Sequence, residues 1–260
     1  MSDQRALPGP NPATPGPATP SPASTLILVR GRGSLPEILL LKRSAQARFM
    51  PNAYVFAGGA VDPEDETDEV YGLCARLDDS QASARLGLPA NALRFFVAAV
   101  REAFEECGLL LAYDAADEIV NLAEWDESRL HQLRGHLSAG RLGLAAICKL
   151  NGWRLAVGEL AYFDHWITPT NLKRRFDTRF FIARAPARQH ASLAGDEMSD
   201  LVWRGAAEAL AEHSRGELLL MQATHTLLGE IARFDQIDAL FAFAQSAREI
   251  LPTTPGPRTD

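Results

Sequence analysis

The segment from residue 91 to residue 108 constrains the fold most, because it predicts a long amphipathic helix. Asn91 is predicted to be its N-cap, and Gly108 stands where a left-handed C-terminal cap is expected. Apolar residues recur at helical spacing between them, at Leu93, Phe96, Val97, Val100 and Phe104. A helix of about four turns, over residues 92–107, must therefore bury one face against another layer of the fold.

Short apolar runs on both sides of this helix predict a sheet. Residues 25–30 and 37–42 flank a Gly- and Pro-containing turn and predict a hairpin, and residues 53–56 predict a third strand. Further strands are predicted over 154–166, 177–183 and 201–203, and helices over 126–139 and, with a break near Gly216, over 206–250. We expect an α/β protein with a mixed sheet between helical layers.

Length and composition predict one domain with additions. The chain has 260 residues, of which 47% are hydrophobic and 23% charged, as in ordinary globular proteins. Seven prolines between Pro8 and Pro22 predict a disordered tail over residues 1–24, and residues 253–260 predict a flexible end. The domain is then expected over 25–252. A net charge of −7 argues against a nucleic-acid partner that depends on bulk positive charge.

The sequence also favours a cytoplasmic protein with no membrane partner. No apolar run reaches the roughly 18 residues that a membrane-spanning helix needs, and the N-terminus lacks a secretory pattern. Three cysteines without a C-x-x-C pair suit a reducing compartment.

Three carboxylates crowd the end of the predicted helix, where the helix dipole already disfavours anions. Glu102 precedes Glu105 by three residues and Glu106 by four, so all three lie on adjacent turns of one side. Arg101 can neutralise only part of this charge. A bound Mg²⁺ or Mn²⁺ would resolve the conflict, since both prefer hard oxygen ligands. The alternative is a solvated acidic face without a ligand.

Residues upstream of the helix give this acidic segment a context. The pair Gly58-Gly59 follows a predicted strand, and Asp65 lies six residues beyond Gly59. Together with the helix end, they resemble the Nudix box, G-x5-E-x7-R-E-U-x-E-E-x-G-U. The matching residues are Gly59, Asp65 (in place of Glu), Arg101, Glu102, Glu105, Glu106, Gly108 and Leu109. Because 35 residues separate Asp65 from Arg101 where the box has seven, the resemblance implies an insertion of 28, at about 66–93.

A second signature, covering residues 39–59, is similar to the L-L-T-x-R-S-x3-R-x3-G-x3-F-P-G-G pattern of coenzyme A diphosphatases in this family. Matching residues are Leu39, Leu40, Arg43, Ser44, Arg48, Phe56, Gly58 and Gly59, whereas Leu41, Asn52 and Ala57 depart from it. With the split box, the chain resembles the branch that carries a long insertion within the box. The resemblance implies a Nudix-type α/β/α sandwich, with Arg43, Arg48 and the two glycines at the substrate. Surface arginines of an arginine-rich protein are the alternative.

The resemblance also implies roles for the acidic residues. Glu102, Glu105 and Glu106 would hold Mg²⁺ or Mn²⁺, and Arg101 would hold the carboxylates in place. Glu197, six residues before Trp203, is similar to a loop carboxylate of the family, with Asp196, Asp200 or an exposed acidic loop without a role as the alternatives. Either Glu197 or Glu102 would accept the proton of water.

The implied substrate is coenzyme A or an acyl-coenzyme A, cleaved to 3′,5′-ADP and a phosphopantetheine. Another Nudix specificity (ADP-ribose, NADH or a dinucleotide polyphosphate) and a non-catalytic nucleotide-binding module are the alternatives. Whether the insertion forms a lid or a dimer contact, and whether the chain is a homodimer, stay open.

Overall fold

A mixed seven-stranded sheet forms the centre of the fold in a computed structural model that describes residues 18–255. The strands are β1 (Ser21–Arg32), β2 (Leu35–Arg43), β3 (Tyr54–Val55), β4 (Ala57–Ala60), β5 (Ala112–Tyr113), β6 (Arg154–Leu155), β7 (Ala161–Ile167), β8 (Phe176–Arg184) and β9 (Met198–Gly205). The sheet order is β3-β2-β1-β8-β7, with β4 also paired to β1 and β9 to β2, while β5 and β6 form a separate pair. Among the described residues, β1 and β8 are the one parallel pair of neighbouring strands in this sheet.

Helices cover both faces of the sheet, which confirms the predicted α/β/α arrangement. They are α1 (Asp68–Tyr71), α2 (Asp79–Leu86), α3 (Leu93–Cys107), α4 (Glu127–Ser138), α5 (Leu144–Asn151), α6 (Ala206–Ser214), α7 (Gln222–Ile231) and α8 (Ile237–Gln245). Leu26 and Leu28 of β1 pack toward α3, whereas Ile27 and Val29 pack toward α6–α8. The apolar run is continuous because both faces of this strand are buried.

Helix α3 matches the predicted helix, but its N-terminus is capped differently. The N-cap is Ala92, and Asn91 adopts a left-handed backbone with φ of 61°. The predicted cap at Asn91 is therefore wrong. Asp79 of α2 caps the start of α3 instead, since its carboxylate accepts from the backbone N–H groups of Asn91 (2.8 Å) and Leu93 (2.9 Å). Gly108 ends the helix with φ of 73°, as predicted.

The predicted insertion, residues 66–93, contains two short helices. Val70 of α1 and Ala82 and Leu86 of α2 are buried in the same core as α3. Thr67 and Asp78 supply the side-chain caps that start the two helices. The segment is therefore a packed part of the domain on the α3 side of the sheet.

Several predicted boundaries need correction. Strand β1 begins at Ser21, so residues 21–24 belong to the sheet and not to the tail. Thr253 pairs with β7: its N–H donates to His165 and its carbonyl accepts from Ile167, so the predicted flexible end begins too early. The parts of the two predicted tails at 1–17 and 256–260 lie outside the described residues.

Two further predictions about the elements were wrong or incomplete. A 3-10 turn at Val157–Glu159 interrupts the predicted strand 154–166, and helix α5 was not predicted. Within residues 18–255, none of the helices has the length and apolar character needed to cross a membrane.

Candidate active site

The C-terminal half of α3 lies against the glycine pair of β4. A Cβ atom at Gly59 would stand 2.4 Å from Oε1 of Glu102, and one at Gly58 would stand 2.5 Å from the carbonyl oxygen of Ser24. At Gly58 a side chain would meet the backbone of β1, and at Gly59 it would displace the carboxylate of Glu102, so glycine permits both close approaches. The backbone of β4 therefore lies directly against the carboxylates of Glu102 and Glu106.

Arg101 joins the two halves of the predicted box. Its Nε and Nη2 atoms donate to the two carboxylate oxygens of Asp65, each at 2.9 Å, and Nη2 also donates to the carbonyl of Ala60 at 2.8 Å. Arg101 is 5% exposed and Asp65 1%. A buried, bidentate pair of this kind fixes both position and orientation. Asp65 and Arg101 are therefore in direct contact although 35 residues separate them.

The guanidinium of Arg101 also holds two of the helix carboxylates. Nη1 of Arg101 donates to Oε1 of Glu102 at 2.9 Å and to Oε1 of Glu105 at 3.2 Å. Burial alone would lower the pKa of Arg101, but its bonds to Asp65 and the charges of Asp65, Glu102 and Glu105 raise it above the usual value. Arg101 is therefore a permanent cation that aligns these side chains.

Glu106 is held by the backbone of β4 and not by Arg101: its carboxylate accepts from the N–H of Gly58 at 2.9 Å. Burial raises the pKa of Glu106 well above its usual value, and the charge of Glu102 raises it further. No ion pair compensates Glu106 among residues 18–255. A buried carboxylate without a cation is costly, so burial disfavours the charged form of Glu106 at this position.

Glu102 and Glu105 are perturbed in the same direction. Burial raises the pKa of Glu102 to about 7; Arg101 opposes this effect, and the charge of Glu105 adds to it. Burial also raises the pKa of Glu105, against the influence of Arg101. One arginine therefore does not offset three carboxylates at the negative end of the helix dipole.

The donor chemistry of this acidic cluster (Glu102, Glu105 and Glu106) fits a hard divalent cation. The rotamers shown are turned elsewhere, Glu102 and Glu105 to Arg101 and Glu106 to Gly58. Accordingly, no three His, Cys, Asp or Glu side chains of residues 18–255 surround a common point as they stand. The raised pKa values indicate that additional positive charge would be accommodated here.

Two other predicted site residues come close to Glu106. The charge of Glu197 raises the pKa of Glu106 and that of Arg43 lowers it, after the larger effects of burial and Glu102. Strand β9 pairs antiparallel with β2, opposing Met198 to Arg43, and the N–H of Ser44 donates to the carbonyl of Glu197 at 2.8 Å. This pairing was not predicted, yet it is what brings the Glu197 loop to the site.

The remaining predicted substrate residue, Arg48, lies on the exposed loop between β2 and β3. Arg43 supports this loop by donating from Nε to the carbonyl of Phe49 at 3.0 Å. Backbone φ values of 47° at Met50 and 61° at Asn52 make the loop a tight one. The structure thus places Arg43 beside the acidic cluster and leaves Arg48 on the surface.

Sequence reasoning missed Arg134, which is buried at the C-terminal end of α3. A signal was available: in α4, Arg134 lies at the apolar spacing of Leu130 and Leu137, where an arginine is unusual. A cleft of about 640 Å³ lies between α8 and residues 184–188 and is lined by none of the acidic cluster. The cluster itself lies at the junction of strand and helix.

Comparisons with known proteins indicate which family the chain belongs to. Residues 77–226 match the family model described as the NUDT19 Nudix domain, over 150 of the 260 residues. The chain is 27% identical over 237 residues to a Xenopus laevis protein named acyl-coenzyme A diphosphatase NUDT19, covering 80% of this chain and 62% of that one. The human protein of the same name is 28% identical, with 79% and 63% covered.

A solved structure shows the same fold. The Nudix hydrolase from Alicyclobacillus acidocaldarius superposes with a TM-score of 0.70 at 25% identity, covering 86% of this chain and 96% of that one. The chain spans about three-fifths of the length of the two NUDT19 relatives. The domain match over more than half of the sequence shows that the chain belongs to the NUDT19 Nudix family of Nudix hydrolases.

Proposed function

We propose that this chain hydrolyses the diphosphate of coenzyme A or an acyl-coenzyme A, with Mg²⁺ or Mn²⁺, to 3′,5′-ADP and the corresponding phosphopantetheine. The observation that carries the proposal is the uncompensated carboxylate of Glu106. It is buried beside Glu102 at the Gly58 turn, and no cation pairs with it among the described residues. A cation bound beside Glu106 would favour the ionised form of this carboxylate, so the site suits a positively charged ligand.

Glu102, Glu105 and Glu106 are the residues that would hold the cation. When bound there, a divalent ion supplies charge neutralisation at the diphosphate and lowers the pKa of a water molecule. The chain's own contribution is orientation. Arg101, fixed by Asp65, keeps Glu102 and Glu105 on one side of α3, and the N–H of Gly58 fixes one oxygen of Glu106.

Glu102 or Glu197 is the proton acceptor of the proposed reaction. The oxygen of water forms a bond to one phosphorus, the bridging P–O bond breaks, and the carboxylate takes the proton of the water. Glu102, whose pKa burial raises to about 7, can exchange a proton near neutral pH. Glu197 is exposed near Glu106 and can reach solvent.

Arg43 and Arg48 are the proposed contacts to the anionic substrate. A guanidinium can bind phosphate oxygens in a bidentate manner, and Arg43 already lies within the electrostatic reach of Glu106. The exposed loop that carries Arg48 adjoins Arg43. The names of the Xenopus and human relatives favour an acyl-coenzyme A substrate over other nucleoside diphosphates.

A substrate panel tests the proposal. Purified protein would be assayed with coenzyme A, an acyl-coenzyme A, ADP-ribose and NADH, with Mg²⁺, Mn²⁺ or EDTA, and products resolved by chromatography. We expect metal-dependent release of 3′,5′-ADP, fastest from the coenzyme A compounds. ADP-ribose turned over as fast as coenzyme A would reject the substrate assignment.

The Glu106→Gln variant tests the acidic cluster. We expect kcat to fall by about a hundredfold or more while the far-UV spectrum is unchanged. Glu69→Gln is the control, because Glu69 is an exposed partner of Lys149 in α5. Full activity of Glu106→Gln would remove the basis of the proposal.

A further inference from the structure

Arg134 of α4 is an unusual buried cation at the end of the helix that carries the acidic cluster. Its residue is 2% exposed, and none of the ion pairs among residues 18–255 includes it. Burial lowers its pKa below the usual value for arginine. Such a side chain is retained only when hydrogen bonds satisfy the guanidinium, so its partners are informative.

Those partners lie on two separate segments. Nε and Nη2 of Arg134 donate to the carbonyl of Glu105 at 3.3 and 3.0 Å. Nη1 donates to the hydroxyl of Ser192 at 3.0 Å, and Nη2 donates to the carbonyl of Ser192 at 2.8 Å. The guanidinium of Arg134 therefore caps a carbonyl in the last turn of α3 and also binds the segment that leads into β9.

The segment after Ser192 is short and is tied at its far end too. The N–H of Ser192 donates to the carbonyl of Cys107 at 3.0 Å, and five residues later the carbonyl of Glu197 accepts from Ser44 at 2.8 Å. Upstream, the side chain of Gln189 exchanges hydrogen bonds with the backbone of Leu110 at 2.8 and 3.0 Å. The position of Glu197 relative to α3 is thus fixed from two sides, by its bond to Ser44 and by the anchor at Ser192.

We infer that Arg134 is a positioning residue that sets the distance between Glu197 and the carboxylates of α3. It touches neither side chain; it acts through the carbonyl of Glu105 and through Ser192. The effect expected on kcat rests on the proposed function, whereas the effect expected on the structure of the loop does not. Loss of the anchor releases residues 193–197 whether or not the substrate has been identified correctly.

Local packing makes arginine, and not lysine, the residue that can do this. Gly108 lies directly on the guanidinium: a Cβ there would stand 3.0 Å from Nη1 of Arg134. The cation therefore fills a flat slot at the end of α3. A lysine would keep the charge, but a single ammonium cannot reproduce the planar fork that reaches Glu105 and Ser192 together.

Arg134→Lys is the principal test, with Ser192→Ala as a second variant that leaves the buried cation in place. Arg129→Lys is the matched control, because Arg129 is exposed on the same helix, above the ring of Trp125. Amide hydrogen exchange would be followed over residues 191–198 and over β1, and kcat and KM would be measured with coenzyme A and Mg²⁺. Each variant would also be made in the Glu197→Gln background.

For Arg134→Lys we expect exchange over 191–198 to rise by about tenfold or more, while β1 keeps its protection. We expect kcat to fall by about ten- to a hundredfold with little change in KM. The loss should largely disappear in the Glu197→Gln background, because both changes act through the same carboxylate. Ser192→Ala should show a smaller effect of the same kind.

Unchanged exchange over 191–198 in both variants would overturn the inference, as would an equal loss of kcat with and without Glu197. A wild-type protein that cleaves no diphosphate would overturn the proposed function instead, and the exchange experiment would still decide the role of Arg134.

Discussion

Replacing Glu102 by glutamine is expected to stabilise the metal-free protein while removing its activity. Burial raises the pKa of Glu102 from 4.5 to about 7, and only 13% of its side chain is exposed. At about 1.4 kcal/mol for each pKa unit, ionising it in the folded state at pH 8 costs about 3 kcal/mol. The amide removes this cost and keeps an oxygen that accepts from Arg101. For a domain of this size, 1 kcal/mol corresponds to roughly 2–4 °C in Tm, so an increase of about 6–12 °C is expected.

The sign of the effect gives it a defined pH dependence. Because the folded-state pKa is raised, Glu102 contributes its full stability below about pH 4.5, and this contribution is lost as the pH rises through about 7. The advantage of Glu102→Gln should therefore be largest at pH 8 and fall to about 1 kcal/mol at pH 5.5. Thermal unfolding in EDTA at the two pH values measures both quantities.

Metal should reduce the difference in Tm between the two proteins. Millimolar Mg²⁺ or Mn²⁺ is expected to raise the Tm of the wild type more than that of Glu102→Gln, because a ligand of the folded state stabilises by mass action. Glu69→Gln, an exposed change in an ion pair with Lys149, should alter Tm little at either pH. A Glu102→Gln protein that is no more stable than the wild type at pH 8 in EDTA would refute the assignment of a strained carboxylate.

Three further changes test the surroundings of the cluster. Arg101→Met should destabilise the fold by about 3–5 kcal/mol in urea unfolding, because it leaves buried carboxylates without their cation; a loss below about 1 kcal/mol would contradict this. Gly59→Ala should lower kcat with the fold intact, because its Cβ displaces Glu102, whereas Gly229→Ala, with open space around it, should leave kcat unchanged; equal kcat values would contradict this. Asp79→Ala should lower stability by about 1 kcal/mol in thermal unfolding, through loss of the α3 cap, and unchanged stability would contradict it.

The parts that sequence predicted best are those whose signals are local. The apolar spacing and Gly108 predicted α3 because helix period and a left-handed cap are properties of consecutive residues. The arrangement of Glu102 and Glu106 on one side of α3 followed from the same period. The strand predictions 25–30 and 37–42 were confirmed as β1 and β2 for a similar reason, since their apolar runs reflect burial on both faces.

The parts that were missed depend on contacts between distant segments. Asn91 is a good N-cap residue by type, but Asp79 reaches the helix start from another helix, and no local pattern shows that. Arg134 has no charged partner among residues 18–255, so searching for opposite charges could not find it. The approach of Glu197 to Glu106 depends on the pairing of β9 with β2, which strand patterns do not specify.

The structure explains how a Nudix box tolerates an insertion of this length. Glu66, where the predicted insertion begins, accepts from Arg94 Nη1 and from Asn91 Nδ2, both at 2.8 Å, so its entry and exit lie side by side. An insertion whose ends already meet costs little in loop closure, since the cost grows only slowly with length. The bidentate bond between Asp65 and Arg101 lies just outside this junction. It joins the two halves of the box whatever the length of the segment between them. Because α2 in turn supplies the cap of α3, the insertion also stabilises the helix that carries the acidic cluster. The two halves of the box are therefore held together from both ends of α3, which is why the split leaves the carboxylates in register.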